Sequence, residues 1–109
     1  MLNKKLQSDI HIKNDGTLFS NNLKGINLKY YIIEDEIVNE DFNHPIKGYG
    51  IEIVKKEMTI DDTTIIESMQ ISNVYCSEKR TQELIDKLAY HTVTPVTLDY
   101  ILEDIIGVL

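Results

Sequence analysis

Tryptophan is absent from this 109-residue sequence, and cysteine occurs once, at Cys76. A single cysteine cannot form a disulfide within the chain, so we expect a packed core to stabilise the fold and a reducing, cytoplasmic location. No run of about 20 apolar residues is present, which excludes a membrane-spanning helix of ordinary length. The first residues do not lead into the apolar stretch of a signal peptide, which again favours the cytoplasm.

Basic residues are scarce, with 11 Lys and Arg against 18 Asp and Glu, a net charge of −7 and an isoelectric point near 4.8. Binding to phosphate backbones depends on clusters of Lys and Arg, so we do not expect direct binding to nucleic acid. Residues 1–25 are the exception, since they carry four Lys against two Asp. DNA binding through this basic N-terminal segment is therefore kept as an alternative.

Motifs of common enzyme classes are also missing. The sequence has no Gly-x-Ser-x-Gly elbow, no Walker loop and no Gly-x-Gly-x-x-Gly fingerprint. Cys76 and His91 fall at opposite ends of a predicted helix, about 20 Å apart, which is too far for a thiol and imidazole pair. We therefore expect a protein that is not an enzyme, with no catalytic residues and no cofactor.

An acidic segment at residues 34–44 offers several carboxylates and one imidazole, His44. Calcium loops need a central glycine, and this segment has none. Zinc sites usually add a second histidine at helical spacing, which is also missing. We therefore expect no metal site, and a small metal-dependent enzyme that uses residues 34–44 is a second alternative.

Alternating apolar residues from residue 26 onward predict three strands, at 26–34, 49–56 and 65–72. Gly50 falls opposite the apolar face of the second strand, where a covering element or a bulge can come close. Residues 1–25 hold few large apolar side chains, which predicts a flexible tail or a weak hairpin that pairs 10–12 with 17–19.

Two helices are predicted after the strands. Ser77 is a suitable N-cap for a helix at 78–91, and Pro95 suits the first turn of a second helix that continues to the end of the sequence. The apolar stripe of the second helix comprises Leu98, Ile101, Leu102, Ile105 and Leu109. Together these patterns predict one α+β domain at 26–109, a three-stranded antiparallel meander with a C-terminal two-helix hairpin packed on one face.

Two tyrosines lie opposite the apolar stripes of the predicted helices, Tyr90 on the first and Tyr100 on the second. Tyrosine is common in interface hot spots because it combines a large apolar area with a polar tip. The acidic residues Asp99, Glu103 and Asp104 accompany Tyr100. We therefore predict a partner-binding surface comprising these five residues.

Several short motifs lie between residues 26 and 109: Tyr30-Tyr31, Tyr49-Gly50-Ile51-Glu52-Ile53, Ile71-Ser72, Val93-x-Pro95-x-x-Leu98 and the predicted helix from Ile101 to Ile106. Through these motifs the sequence from residue 26 to 109 resembles an uncharacterised family of small acidic proteins from spore-forming Gram-positive bacteria. The resemblance implies no catalytic residue. Some small acidic proteins of such bacteria are encoded on mobile elements and act by binding a recombinase or a transcriptional regulator. We therefore expect a non-enzymatic cytoplasmic regulatory protein that binds a protein partner, in one version a directionality factor of a site-specific recombinase.

Overall fold

The computed structural model describes residues 3–13, 23–37 and 45–106. Within these ranges four strands precede two helices, and most of the described residues belong to the sheet. The elements are β1 (Asn3–Lys13), β2 (Leu23–Ile37), β3 (Ile46–Thr59), β4 (Thr64–Tyr75), α1 (Glu78–Tyr90), a 3-10 turn (Pro95–Thr97) and α2 (Leu98–Ile106).

The strands form one antiparallel sheet in the order β1-β2-β3-β4, so each strand pairs with its neighbour along the chain. Alternate residues of β2 and β3 point to the same face, and Tyr30 lies directly opposite Ile53. The buried side chains of this face are Leu28, Tyr30, Ile32, Tyr49, Ile51 and Ile53. They form the sheet side of the core.

Helix α1 covers this face and contacts all four strands. Its N-terminus is capped by Ser77, whose hydroxyl oxygen accepts a hydrogen bond from the Arg80 amide at 3.2 Å. The side chains that α1 buries against the sheet recur at three- and four-residue spacing, as an amphipathic helix requires. They are Thr81, Leu84, Ile85, Leu88 and Ala89.

The predicted three-stranded meander is wrong, because β1 adds a fourth strand. Residues 10–12, predicted to pair with 17–19, pair instead with 26–28 of β2. Residues 17–19 lie outside the described part of the structure. The alternation of β1 is interrupted between Leu6 and Ser8, where the register shifts. This irregularity removes the regular period by which a strand is recognised in a sequence.

The predicted two-helix hairpin is also wrong, because α2 is a short helix of nine residues that follows a 3-10 turn. After α1, Thr92 adopts a left-handed backbone conformation with φ of 50°, and the Val93 amide donates to the Leu88 carbonyl at 3.0 Å. The Tyr30 hydroxyl donates to the Val93 carbonyl at 2.8 Å, which joins this connection to the sheet. The 3-10 turn then contacts β3 and β4.

The close approach predicted at Gly50 is present. A β carbon at this position would overlap the Ile71 carbonyl oxygen and lie 2.9 Å from the Ser72 α carbon. The register between β3 and β4 shifts at this point, and Asn73 of β4 has φ of 56°. Gly50 therefore makes room for a bulge in β4.

Tyr30 is fully buried, and its burial raises the pKa of the phenol to about 12, above the ordinary value near 10. Tyr30→Phe is expected to lower the free energy of unfolding by about 1–3 kcal/mol near pH 7, because the Val93 carbonyl loses its donor. The contribution of the neutral phenol is fully present below about pH 10 and is lost as pH rises through about 12. Urea titrations across this interval should show the two unfolding free energies converging. A constant difference would contradict the expected linkage.

Candidate functional site

A groove of about 290 Å³ lies where α2 meets the C-terminal end of α1. Leu88 and Val93 are buried beside it, and Ile101 is half-buried. The polar residues that line it are Lys87, His91 and Asp104. The groove therefore has an apolar floor between a cationic side chain on α1 and a carboxylate on α2.

Each of the two tyrosines predicted to bind a partner immediately precedes, along the chain, a residue that lines this groove, His91 or Ile101. Tyr90 is 83% exposed, and its ring contacts the His91 ring edge-on with centroids 5.1 Å apart. Tyr100 is 71% exposed and lies one helical turn before Asp104, so it occupies the same side of α2. The exposure fits the predicted positions, and binding by these residues stays a prediction.

The acidic residues of the predicted surface lie on α2. Glu103 and Asp104 are exposed, whereas the side chain of Asp99 lies outside the described part of the structure. Leu98 and Leu102 are fully buried and attach α2 to the core. Because this attachment uses one side of the helix, the acidic side remains accessible to a partner.

The sequence alone did not indicate that α1 and α2 form a groove. Two other arrangements considered from the sequence were a pair of Cys76 with His91 and a metal site, neither of which was predicted. Cys76 is exposed before α1 and His91 caps its other end, so the 13 residues of the helix separate the thiol from the imidazole by about 20 Å. Across residues 3–13, 23–37 and 45–106, no group of three or more His, Cys, Asp and Glu side chains is placed to hold a metal ion.

The acidic segment 34–44 is divided by the structure. Its first residues, up to Ile37, belong to β2, and residues 38–44 lie outside the described part. The Lys47 ammonium donates to a Glu34 carboxylate oxygen at 3.0 Å, and this hydrogen bond raises the pKa of Lys47. Glu34 therefore contributes to pairing between β2 and β3 across the sheet.

Lysines of the basic N-terminal segment form ion pairs with distant carboxylates. Lys4 lies 2.9 Å from Glu52, and the hydrogen bond between them raises the pKa of Lys4. Lys5 lies 3.5 Å from Glu78 of α1. Lys24 makes a third such pair, with a carboxylate of the β3–β4 turn. Sequence reasoning missed these pairs because their partners lie far along the chain.

A polar cluster between β1 and β2 was also missed. The buried Asn27 amide nitrogen donates to an Asp9 carboxylate oxygen at 2.6 Å and to the Ile10 carbonyl at 3.1 Å. His11 lies opposite Asn27 in the register of the two strands. These contacts satisfy a buried amide, which is a structural role. The sequence signal was weak, because Asn27 alternates with apolar residues just as Lys29 does.

No helix in the described ranges is long and apolar enough to cross a bilayer. Among known proteins, the model of a family of unknown function, DUF6514, matches residues 12–108. The matched region begins within β1. It therefore starts 14 residues before the region 26–109 that carries the resemblance described above. Searches of curated proteins and of solved structures gave no match.

Proposed function

We propose that this chain, which belongs to the DUF6514 family, is a non-enzymatic binding protein whose groove between α1 and α2 receives a segment of a protein partner. One observation carries the proposal: Tyr90 and Tyr100 are strongly exposed, and each immediately precedes a residue that lines an apolar groove, His91 or Ile101. A solvent-exposed tyrosine beside an apolar floor can bury a large area on binding and lose little side-chain entropy.

The charges around the groove define the partner's chemistry. Glu103 and Asp104 are exposed on α2, and residues 98–106 contain no basic residue. A complementary partner would insert an apolar side chain between Leu88 and Ile101 and place basic residues against α2. Proteins that bind DNA carry such basic surfaces. This supports a recombinase or a transcriptional regulator as the partner class, with cytoplasmic location as part of the proposal.

The two alternatives have less support. A metal ion bound by Glu34 in a metal-dependent enzyme that uses residues 34–44 would have to displace Lys47 from that carboxylate. DNA binding through the N-terminal segment would draw on Lys4 and Lys5, which are paired with carboxylates. Each of these ion pairs competes with the ligand that the alternative function needs.

Tyr100→Ala is expected to weaken binding of the partner at least about fivefold, as removal of a hot-spot residue does. The same change should alter the free energy of unfolding by less than about 0.5 kcal/mol, because the side chain is exposed. The partner is first captured from the native host with the full chain as bait and identified by mass spectrometry. Calorimetry with the purified partner then gives the dissociation constants.

Leu6→Ala is the matched control, because Leu6 is an exposed apolar residue of β1 outside the groove. It should bind the partner as the wild type does. The association rate of the wild type should also fall as salt increases, since salt screens attraction between the α2 acids and a basic partner. Full binding by a folded Tyr100→Ala variant would place the interface elsewhere.

A further inference from the structure

Strand β4 forms one edge of the sheet, and no strand of the described chain pairs with its outer side. An edge strand presents unpaired amide and carbonyl groups, which can pair with another strand. From Thr64 to Ile71 the β4 backbone follows β3 without a shift of register. The bulge described above begins beyond Ile71, so about eight residues offer a regular edge roughly 27 Å long.

The two edges of the sheet differ in how well they are protected against pairing with another strand. Strand β1 carries Lys4, Lys5 and Lys13 and has a register shift in its middle, both of which discourage pairing. Between Thr64 and Ile71, β4 has no Lys, Arg or Pro, and its one charged residue is Glu67. Only the β4 edge therefore lacks the usual protection against pairing.

Exposed apolar side chains accompany the open edge of β4. Ile65 is 44% exposed and Ile66 is 59% exposed, on opposite faces of the strand. Met69 and Ile71 share the face of Ile65 and pack partly against the core. A strand added at this edge would extend the apolar face that α1 covers in the centre of the sheet.

We propose that β4 pairs antiparallel with β4 of a second copy of this chain, about a two-fold axis at Ser68. In this register Ile65 lies opposite Ile71 of the second copy, and Glu67 lies opposite Met69 of the second copy. Directly opposed residues of antiparallel strands share a face, so both α1 helices lie on the same side of one eight-stranded sheet. The edge is therefore complementary to itself.

The charges near the axis favour this register. Centring the axis on Glu67 would oppose two carboxylates, which is unfavourable. Centring it on Ser68 places the two Glu67 residues diagonally rather than directly opposite each other, which weakens their repulsion. Lys55, the β3 residue opposite Glu67, supplies a positive charge on the same face, where its ammonium lies 2.7 Å from Glu57. Glu67 is the one charged residue between Thr64 and Ile71, so the paired segment itself carries little of the net charge of −7. The inference uses different residues from the groove and is independent of the proposed function.

The test changes the residue on the axis. Ser68 is exposed, so Ser68→Lys and Ser68→Glu should leave each copy folded, as circular dichroism can verify. Sedimentation equilibrium of the wild type should give about twice the chain mass of 12.6 kDa. Each charged variant places like charges opposite each other, which should raise the dimer dissociation constant at least about tenfold. An equimolar mixture should restore the dimer, because Lys then lies opposite Glu.

Ser68→Thr is the matched control and should remain dimeric, because it adds no charge and threonine suits a strand. A wild-type chain that stays at 12.6 kDa up to about 1 mM would overturn the proposal, and would leave the edge to an extended segment of another protein. A dimer that survives both charged variants, or a mixture that stays monomeric, would also overturn it.

Discussion

Leu102→Ala is expected to lower the free energy of unfolding by about 2–5 kcal/mol, the range for removing a fully buried leucine side chain. Among the side chains of α2 that the structure describes, Leu98 and Leu102 are fully buried and pack on the core. Truncating one of them leaves a cavity that the other cannot fill. Urea denaturation measures this decrease in the free energy of unfolding. Circular dichroism is the signal to follow, because the chain has no tryptophan for fluorescence.

Ile101→Ala is the matched comparison. The apolar stripe of the sequence placed Ile101 in the core with Leu102, but the structure leaves it half-buried at the groove. Its truncation should therefore cost clearly less than that of Leu102. Equal losses at the two positions would show that α2 packs through a wider stripe than the structure indicates.

Gly50→Ala is expected to destabilise the fold by about 3 kcal/mol, at the upper end of the usual cost of adding a methyl group where none fits. The new methyl group would meet the backbone of β4 at Ile71 and Ser72, and backbone atoms cannot rotate away as a flexible side chain can. The bulge around Asn73 would have to move or open. The midpoint of thermal unfolding provides the first measurement, and urea titration the free energy.

Ser72→Ala is the control, because it changes an exposed side chain in the same part of β4 without adding a group that meets the backbone. It should change the free energy of unfolding by less than about 0.5 kcal/mol. A loss below about 1 kcal/mol for Gly50→Ala would mean that β4 relaxes readily, and the close approach would then have little structural importance.

The parts of the fold that the sequence predicted are those with a regular apolar period. The stripe from Thr81 to Ala89 recurs at helical spacing, and α1 forms there. Strand β1 lacks such a period, because Lys5 and Ser8 lie on either side of a register shift. Its stabilisation comes from pairing with β2 and from contacts with α1, which no local pattern contains. The predicted fold was therefore one strand short.

The acidic segment shows a second limit of local patterns. The predicted strand ended at residue 34, yet Asp35 and Glu36 continue β2 because Gly48 and Lys47 of β3 lie opposite them. A cross-strand pair with Lys47 offsets the charge of Glu34. Pairing with a neighbouring strand outweighed the weak strand preference of acidic residues.

The candidate site was predictable only in part. A helical wheel places Tyr90 and Tyr100 away from the core, because that requires the period of each helix alone. The groove depends on the left-handed turn at Thr92, which brings Val93 and Ile101 beside Leu88. A turn of this kind is set by the packing of both helices on the sheet, so the sequence of either helix does not contain it.

Because each strand pairs with its neighbour along the chain, formation of the sheet closes only short loops and loses little conformational entropy in doing so. The segments between successive strands span residues 14–22, 38–45 and 60–63, that is nine, eight and four residues. The entropy lost on closing a loop grows only with the logarithm of its length, so these pairings differ little in cost. The hydrogen bond from Tyr30 to Val93 joins residues 63 apart and closes a far larger loop. Most of the long-range closure entropy is therefore lost when the helical segment docks, and the sheet can assemble by successive short hairpins.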